Sequence, residues 1–107
     1  MLFYFAITGC TPRRLGPEVR RDGVYFSFYS PAAKSVVIAG SFNQWDVHKD
    51  FLAGPDNNGV WSLILPLPEG RYEYLFLEDG KEWKPDPGAP TVDDGFGNKN
   101  SVVVIGK

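Results

Sequence analysis

The 107-residue chain carries one cysteine, Cys10, and one histidine, His48. A single cysteine excludes an internal disulfide and a cysteine-built metal cluster. A single histidine argues equally against a His-rich metal site, so no metal or cofactor is expected. No run approaches the roughly 20 apolar residues that span a bilayer as a helix. Neither sign of charge dominates, with 11 Lys and Arg against 13 Asp and Glu and a net charge of -2. Without a concentrated basic face, nucleic acid is not the expected partner. No window shows useful helical periodicity, and no P-loop, dinucleotide fingerprint or Ser-His-Asp pattern is present.

Aromatic and turn-forming residues are abundant: 15% aromatic, with 12 Gly and 9 Pro. That balance predicts short strands joined by tight loops, in one domain with one core. Residues 1–10, MLFYFAITGC, are apolar and end in Ile7-Thr8-Gly9-Cys10. This tetrad is similar to a bacterial lipoprotein cleavage box, in which the Cys thiol takes the lipid. The apolar part is short for a signal, and no Lys or Arg precedes it. A lipid on Cys10 is the one route to a membrane and would make this a cell-envelope lipoprotein. If Met1 is the true start, the protein is cytoplasmic and residues 1–10 are an apolar tail or a first strand. Residues 11–21, with two Pro and four Arg, read as a solvated linker. The chain thus divides into an N-terminal segment and linker, residues 1–16, and a folded domain, residues 17–107.

Within the domain, residues 24–30 alternate, with Val24, Phe26 and Phe28 on one face and Tyr25, Ser27 and Tyr29 on the other. Period two marks a half-buried strand. Residues 35–39 are a second, nearly continuous apolar strand. Residues 46–58 are polar and irregular. Residues 60–67 place Trp61, Leu63, Leu65 and Leu67 on one face, which assigns Trp61 to the core. Residues 71–78 turn Tyr72, Tyr74 and Phe76 inward and Glu73, Leu75 and Leu77 outward. The short Pro68-Glu69-Gly70 connection predicts that these two strands form a hairpin. Residues 82–84 start a short strand, 85–97 read as a loop, and 101–105 close the domain as a β-branched strand. The spacing predicts an all-β, immunoglobulin-like antiparallel sandwich.

Two tryptophans fall outside this core pattern. Trp45 ends the break GSFNQW after the second strand, and Trp83 follows the turn Asp79-Gly80-Lys81-Glu82. The stretches VYFSFYSPAAKSVVIAGSFNQW, GVWSLILPLPEGRYEYLFLEDG, EWKPDP and DGFGNKNSVVV, in that order, resemble carbohydrate-binding module family 48. This is the early-set sandwich of kinase-type glycogen-binding domains and of isoamylase and branching-enzyme N-terminal modules. The resemblance covers residues 17–105. It implies a non-catalytic module for α-1,4-glucan or malto-oligosaccharide, with Trp45 and Trp83 as rings that stack on glucose. The family's apolar residue before the last glycine turn corresponds to Phe96, and its sugar-binding asparagine to Asn100. Asn98 replaces the family's threonine, and Leu75 replaces its lysine on the fourth strand. The family places one residue fewer in the turn before Trp83.

The chemistry agrees with those roles. A pyranose has an apolar C–H face that an aromatic ring covers, and a hydroxyl rim that Asn meets with an acceptor and two donors. Each residue also has a plainer role: Trp45 in the core, Trp83 packed on its loop, Asn100 bonding backbone groups, Phe96 filling its own loop. The carboxylates of Glu73, Glu78, Asp79, Asp86, Asp93 and Asp94 fall on an exposed strand face or in turns, where local backbone bonding explains them. They are not read as a glycosidase pair. Two functions remain: a glucan-binding module, acting alone or beside a glucan-active enzyme in trans, and a protein-interaction scaffold of the same fold that has lost the sugar. Leu75 favours the scaffold, because an exposed apolar side chain can mark an interface.

Overall fold

The computed structural model describes residues 16–106. Cys10 and the tetrad it closes lie outside the described residues. Among the described residues, eight strands follow one another: β1 (Glu18–Arg20), β2 (Gly23–Tyr29), β3 (Val36–Gly40), β4 (Val60–Leu65), β5 (Gly70–Glu78), β6 (Glu82–Lys84), β7 (Thr91–Asp93) and β8 (Lys99–Ile105). They form a three-stranded sheet, β1-β2-β4, and a second sheet of order β3-β5-β8-β7 with β6 also paired to β5. All the pairings are antiparallel. This is the expected all-β, immunoglobulin-like sandwich.

The core lies between the sheets and is built by the period-two faces. Val24, Phe26, Phe28 and Trp61 from one sheet meet Val36, Ile38, Tyr74, Phe76, Val103 and Ile105 from the other. Phe26 meets Tyr74 edge-on at 5.0 Å, and Phe28 lies 4.6 Å from Phe76. Trp61 is buried as expected, and its indole Nε1 donates to the Ser30 carbonyl at 2.7 Å. That bond satisfies the one polar atom of a large apolar side chain.

Residues 60–67 and 71–78 do not form the expected hairpin. β4 pairs with β2, while β5 pairs with β3 and β8 in the other sheet. Pro66 and Pro68 explain the crossing. Proline fixes φ and has no N–H to donate, so the β4 ladder stops where the first one stands. Leu67, between them, packs against the core. The chain changes sheets there instead of reversing within one.

Three further segments are more ordered than their composition suggests. Residues 18–20, assigned to a linker, pair with β2 as an edge strand, and the Arg20 guanidinium sits 4.0 Å over the Tyr25 ring. The loop 85–97 contains β7, paired to β8. Within the polar stretch 46–58, Leu52 donates to the Val36 carbonyl at 2.9 Å while Ala53 and Ser62 exchange bonds at 2.9 Å. Residues 52 and 53 thus tie one sheet to the other, and Leu52 is buried in the core. Leu77, on the outward face of β5, is buried nonetheless.

Candidate functional site

The site begins where β3 ends. Gly40 accepts at its carbonyl from the amides of Asn43 and Trp45, at 3.1 and 2.9 Å. Asn43, 1% exposed, locks the turn from within. Its Oδ1 accepts from the Gly40 amide at 2.9 Å, and its Nδ2 donates to the Ile38 carbonyl at 3.1 Å and to Asp50 at 2.8 Å. Phe42 anchors the same turn, 6.0 Å from Phe26 and 5.9 Å from Tyr72. So held, Gln44 and Trp45 both take φ of 58°. Left-handed backbone costs an L-residue about 1–2 kcal/mol, and a bulky aromatic there is uncommon. Such strain persists only where the surroundings over-determine it, and it gathers at functional sites. The result is a tryptophan pushed out of the core, 37% exposed.

Strand register supplies the second ring. Opposed residues share a face, so Leu77↔Trp83 puts Trp83 on the outward face of β5, with Leu75 and Glu73. The same parity along β8, from Glu73↔Val102, places Asn100 on that face. The turn before Trp83 uses left-handed residues at Asp79 and Gly80, and the Lys81 amide closes it on the Glu78 carbonyl at 3.0 Å. Asp79 Oδ1 accepts from the amides of Lys34 and Ser35, which hold its carboxyl below the usual range. Lys84 ties Glu78 to Glu82 at 3.3 and 3.4 Å beside the ring. The turn and the register together leave Trp83 47% exposed, on the side of Trp45.

Trp45, Trp83 and Leu75 line one cleft of about 580 Å³, with Pro85 completing its apolar wall. Asn98 lines it as well. Four lining residues were not foreseen as site residues: Pro85, Asp94, Gly97 and Lys99. Asp94 was legible only as a loop carboxylate, and Lys99 carries the inward parity of β8. Asn100 and Phe96 do not line the cleft. Asn100 donates through Nδ2 to Glu73 Oε1 at 3.1 Å rather than to a backbone group. Phe96 is 88% exposed and fills no loop core. A smaller cleft, about 360 Å³, opens elsewhere against β1 and Pro66 to Pro68, with no aromatic wall.

The six carboxylates weighed as a glycosidase pair are all engaged. Asn100 first, then Arg71 at 3.0 Å, hold Glu73 below the usual range. Glu78 accepts from Ser30 Oγ at 2.6 Å. Asp93 accepts the Gly95 amide at 2.8 Å. Asp94 Oδ1 accepts from the amides of Phe96 and Asn98, and the Phe96 amide above all keeps its carboxyl low. Asp86 is the exception to the turn reading, being 1% exposed. Its carboxylate accepts from the Tyr74 hydroxyl at 2.7 Å and the Gly88 amide at 2.9 Å, while its own amide donates to Ser101 Oγ at 2.7 Å. Burial raises its pKa against those bonds. Among the described residues, no cluster of His, Cys, Asp and Glu could hold a metal ion.

Comparison with known proteins finds one family and a set of relatives. The family model of carbohydrate-binding module 48, the isoamylase N-terminal domain, matches residues 14–89. The 5'-AMP-activated protein kinase subunit beta-1 of Sus scrofa is 39% identical over 79 residues, 74% of this chain and 61% of that protein. Subunit beta-2 of Homo sapiens is 36% identical over 86 residues, 74% of this chain and 28% of that protein. The chain thus spans less than two thirds of the length of these relatives. The family match takes in both tryptophans and stops short of Asp94, Asn98, Lys99 and Asn100. With the sandwich, the strained turn and the outward rings already in view, this match means that the chain belongs to the carbohydrate-binding module 48 family.

Proposed function

We propose that this domain is a non-catalytic module for α-1,4-linked glucans of the glycogen and starch type. Glucose rings stack on Trp45 and Trp83, and the hydroxyl rim meets Asn98 and the other polar groups of the cleft. One observation carries the reading: two tryptophans from different elements line the same cleft while both stay partly exposed. A core role for either ring would have removed that exposure. Leu75 forms part of the cleft wall, which takes away the reason for reading it as a separate interface. Asn100 joins from the cleft margin, and Phe96 offers a further apolar surface to a longer chain. Engagement of every candidate carboxylate in turns, strand faces or the core supports a non-catalytic role. Such a module would hold its own chain, or a glucan-active enzyme associated with it, on the polymer.

An open site of this size should bind in the micromolar to millimolar range, about 4–8 kcal/mol. Native electrophoresis through glycogen is the test, with Trp45→Ala and Trp83→Ala beside the parent. Each variant should lose about tenfold in affinity, ~1.4 kcal/mol. A parent that runs unretarded, or variants retarded as strongly as the parent, would overturn the reading. Fluorescence titration with maltoheptaose and with cello-oligosaccharides then tests the preference for α-linkages.

A further inference from the structure

We propose that Lys99 is the charged donor of the cleft, giving its ammonium hydrogens to hydroxyls on the rim of the bound glucan, with Asp94 as the matching acceptor. The inference rests on the glucan reading above. Trp45, Leu75, Trp83 and Pro85 give the cleft an apolar wall suited to C–H faces. Stacking alone tells one ring from another poorly. Hydroxyl positions are read by hydrogen bonds, and those to charged groups are the stronger ones. Among the described residues, Lys99 is the one cation lining this cleft.

Its freedom sets it apart from other basic side chains nearby. Lys84 is paired to Glu78 and Glu82, and Arg71 to Glu73. The Lys99 side chain makes no hydrogen bond or ion pair among the described residues. The register Asp93↔Lys99 invites a cross-strand ion pair, which is the plainer role for a lysine here. No such pair forms, and the Asp93 carboxylate turns instead to the Gly95 amide at 2.8 Å. The Lys99 backbone is fixed in β8 while its ammonium keeps its full donor capacity. Asp94 is the reverse case, since two backbone amides hold one carboxylate oxygen in place at the cleft wall. An unpaired donor beside a fixed acceptor suits neighbouring hydroxyls of a neutral sugar, and the balance of one positive and one negative group does not favour an anionic ligand.

Calorimetric titration with maltoheptaose tests this, using Lys99→Met, Lys99→Arg and Arg21→Met beside the parent. Lys99→Met keeps the length of the side chain and removes the charge, and its affinity should fall about fivefold or more. Lys99→Arg should recover most of that loss. Arg21 lies against the other cleft, so Arg21→Met should bind like the parent, and all three should keep the parent's thermal midpoint. If Lys99→Met binds as tightly as the parent while Trp45→Ala has lost affinity, the inference falls and the glucan reading stands. Equal losses in Lys99→Met and Arg21→Met would assign the effect to net charge and also overturn it. A parent that shows no binding at all sinks the glucan reading, and the inference with it.

Discussion

Tyr74 and Asp86 satisfy one another in the interior, and both are next to residues of the cleft. Tyr74 precedes Leu75, Asp86 follows Pro85, and Ser101, which binds the Asp86 amide, follows Asn100. One buried network thus joins two segments that carry the wall, at Leu75 and Pro85, to β8, whose Lys99 also lines the cleft. Tyr74→Phe removes the hydroxyl and leaves the buried carboxylate one donor short. An unsatisfied buried group costs about 1–3 kcal/mol, more when it is charged, so urea denaturation should show at least that loss. An unchanged midpoint would mean that water replaces the hydroxyl. Little of this was legible in the sequence. Asp86 sits in a Pro-rich loop and looks like any turn aspartate, because burial depends on partners from β5 and β8. Trp45 and Trp83 were legible, since each follows a break in an apolar or alternating run. Lys99 was not, because its strand parity points inward at a place where the core has already ended.

The turn from Gly40 to Trp45 is the element on which the cleft depends most, and its first residue has no room to change. A Cβ on Gly40 would meet Tyr74 Cβ at 2.7 Å and Phe42 Cε2 at 3.0 Å, and would press on the Glu73 carbonyl. Gly40→Ala should therefore destabilise the domain by about 1–3 kcal/mol, as overpacking does. It should also weaken retardation in glycogen, because Phe42 and the Glu73 strand are the supports that would shift. Thermal unfolding and native electrophoresis measure the two effects separately, and parent-like values in both would refute this view of the turn. Elements with strong alternation, β2 and β5 above all, were readable from their own residues. The pairing of β4 was not. A short connection favours a hairpin locally, yet two prolines veto the ladder, and only the opposite sheet offers β5 its partners. β1 and β7 have three residues each, too few for a period to show.

At the scale of the molecule, the same carboxylates that shape the site set its response to acid. Glu73, Asp79 and Asp94 all have lowered pKa values, from their hydrogen bonds to Asn100, to the Lys34 amide and to the Phe96 amide first. Asp86 is raised by burial. A lowered carboxyl stays charged in the folded state after its unfolded counterpart has taken a proton. The unfolded chain then binds more protons, and stability falls as pH drops through the folded value. A raised carboxyl does the opposite, so Asp86 adds stability as the pH falls from its raised folded value toward the ordinary one. Three groups act in one direction against one in the other, and acid should destabilise the domain below the ordinary values of 4.5 for Glu73 and 3.8 for the aspartates. Glu73 can be isolated from the rest, because Glu73→Gln retains an acceptor for Asn100 while removing the proton-binding group. Thermal midpoints from about pH 7 to about pH 3 should fall for both proteins, and less steeply for Glu73→Gln. Identical slopes would show that the Arg71–Glu73–Asn100 contact holds no charge that folding protects. A shallower slope would place part of the acid sensitivity at the cleft margin, where Asn100 depends on that carboxylate for its orientation.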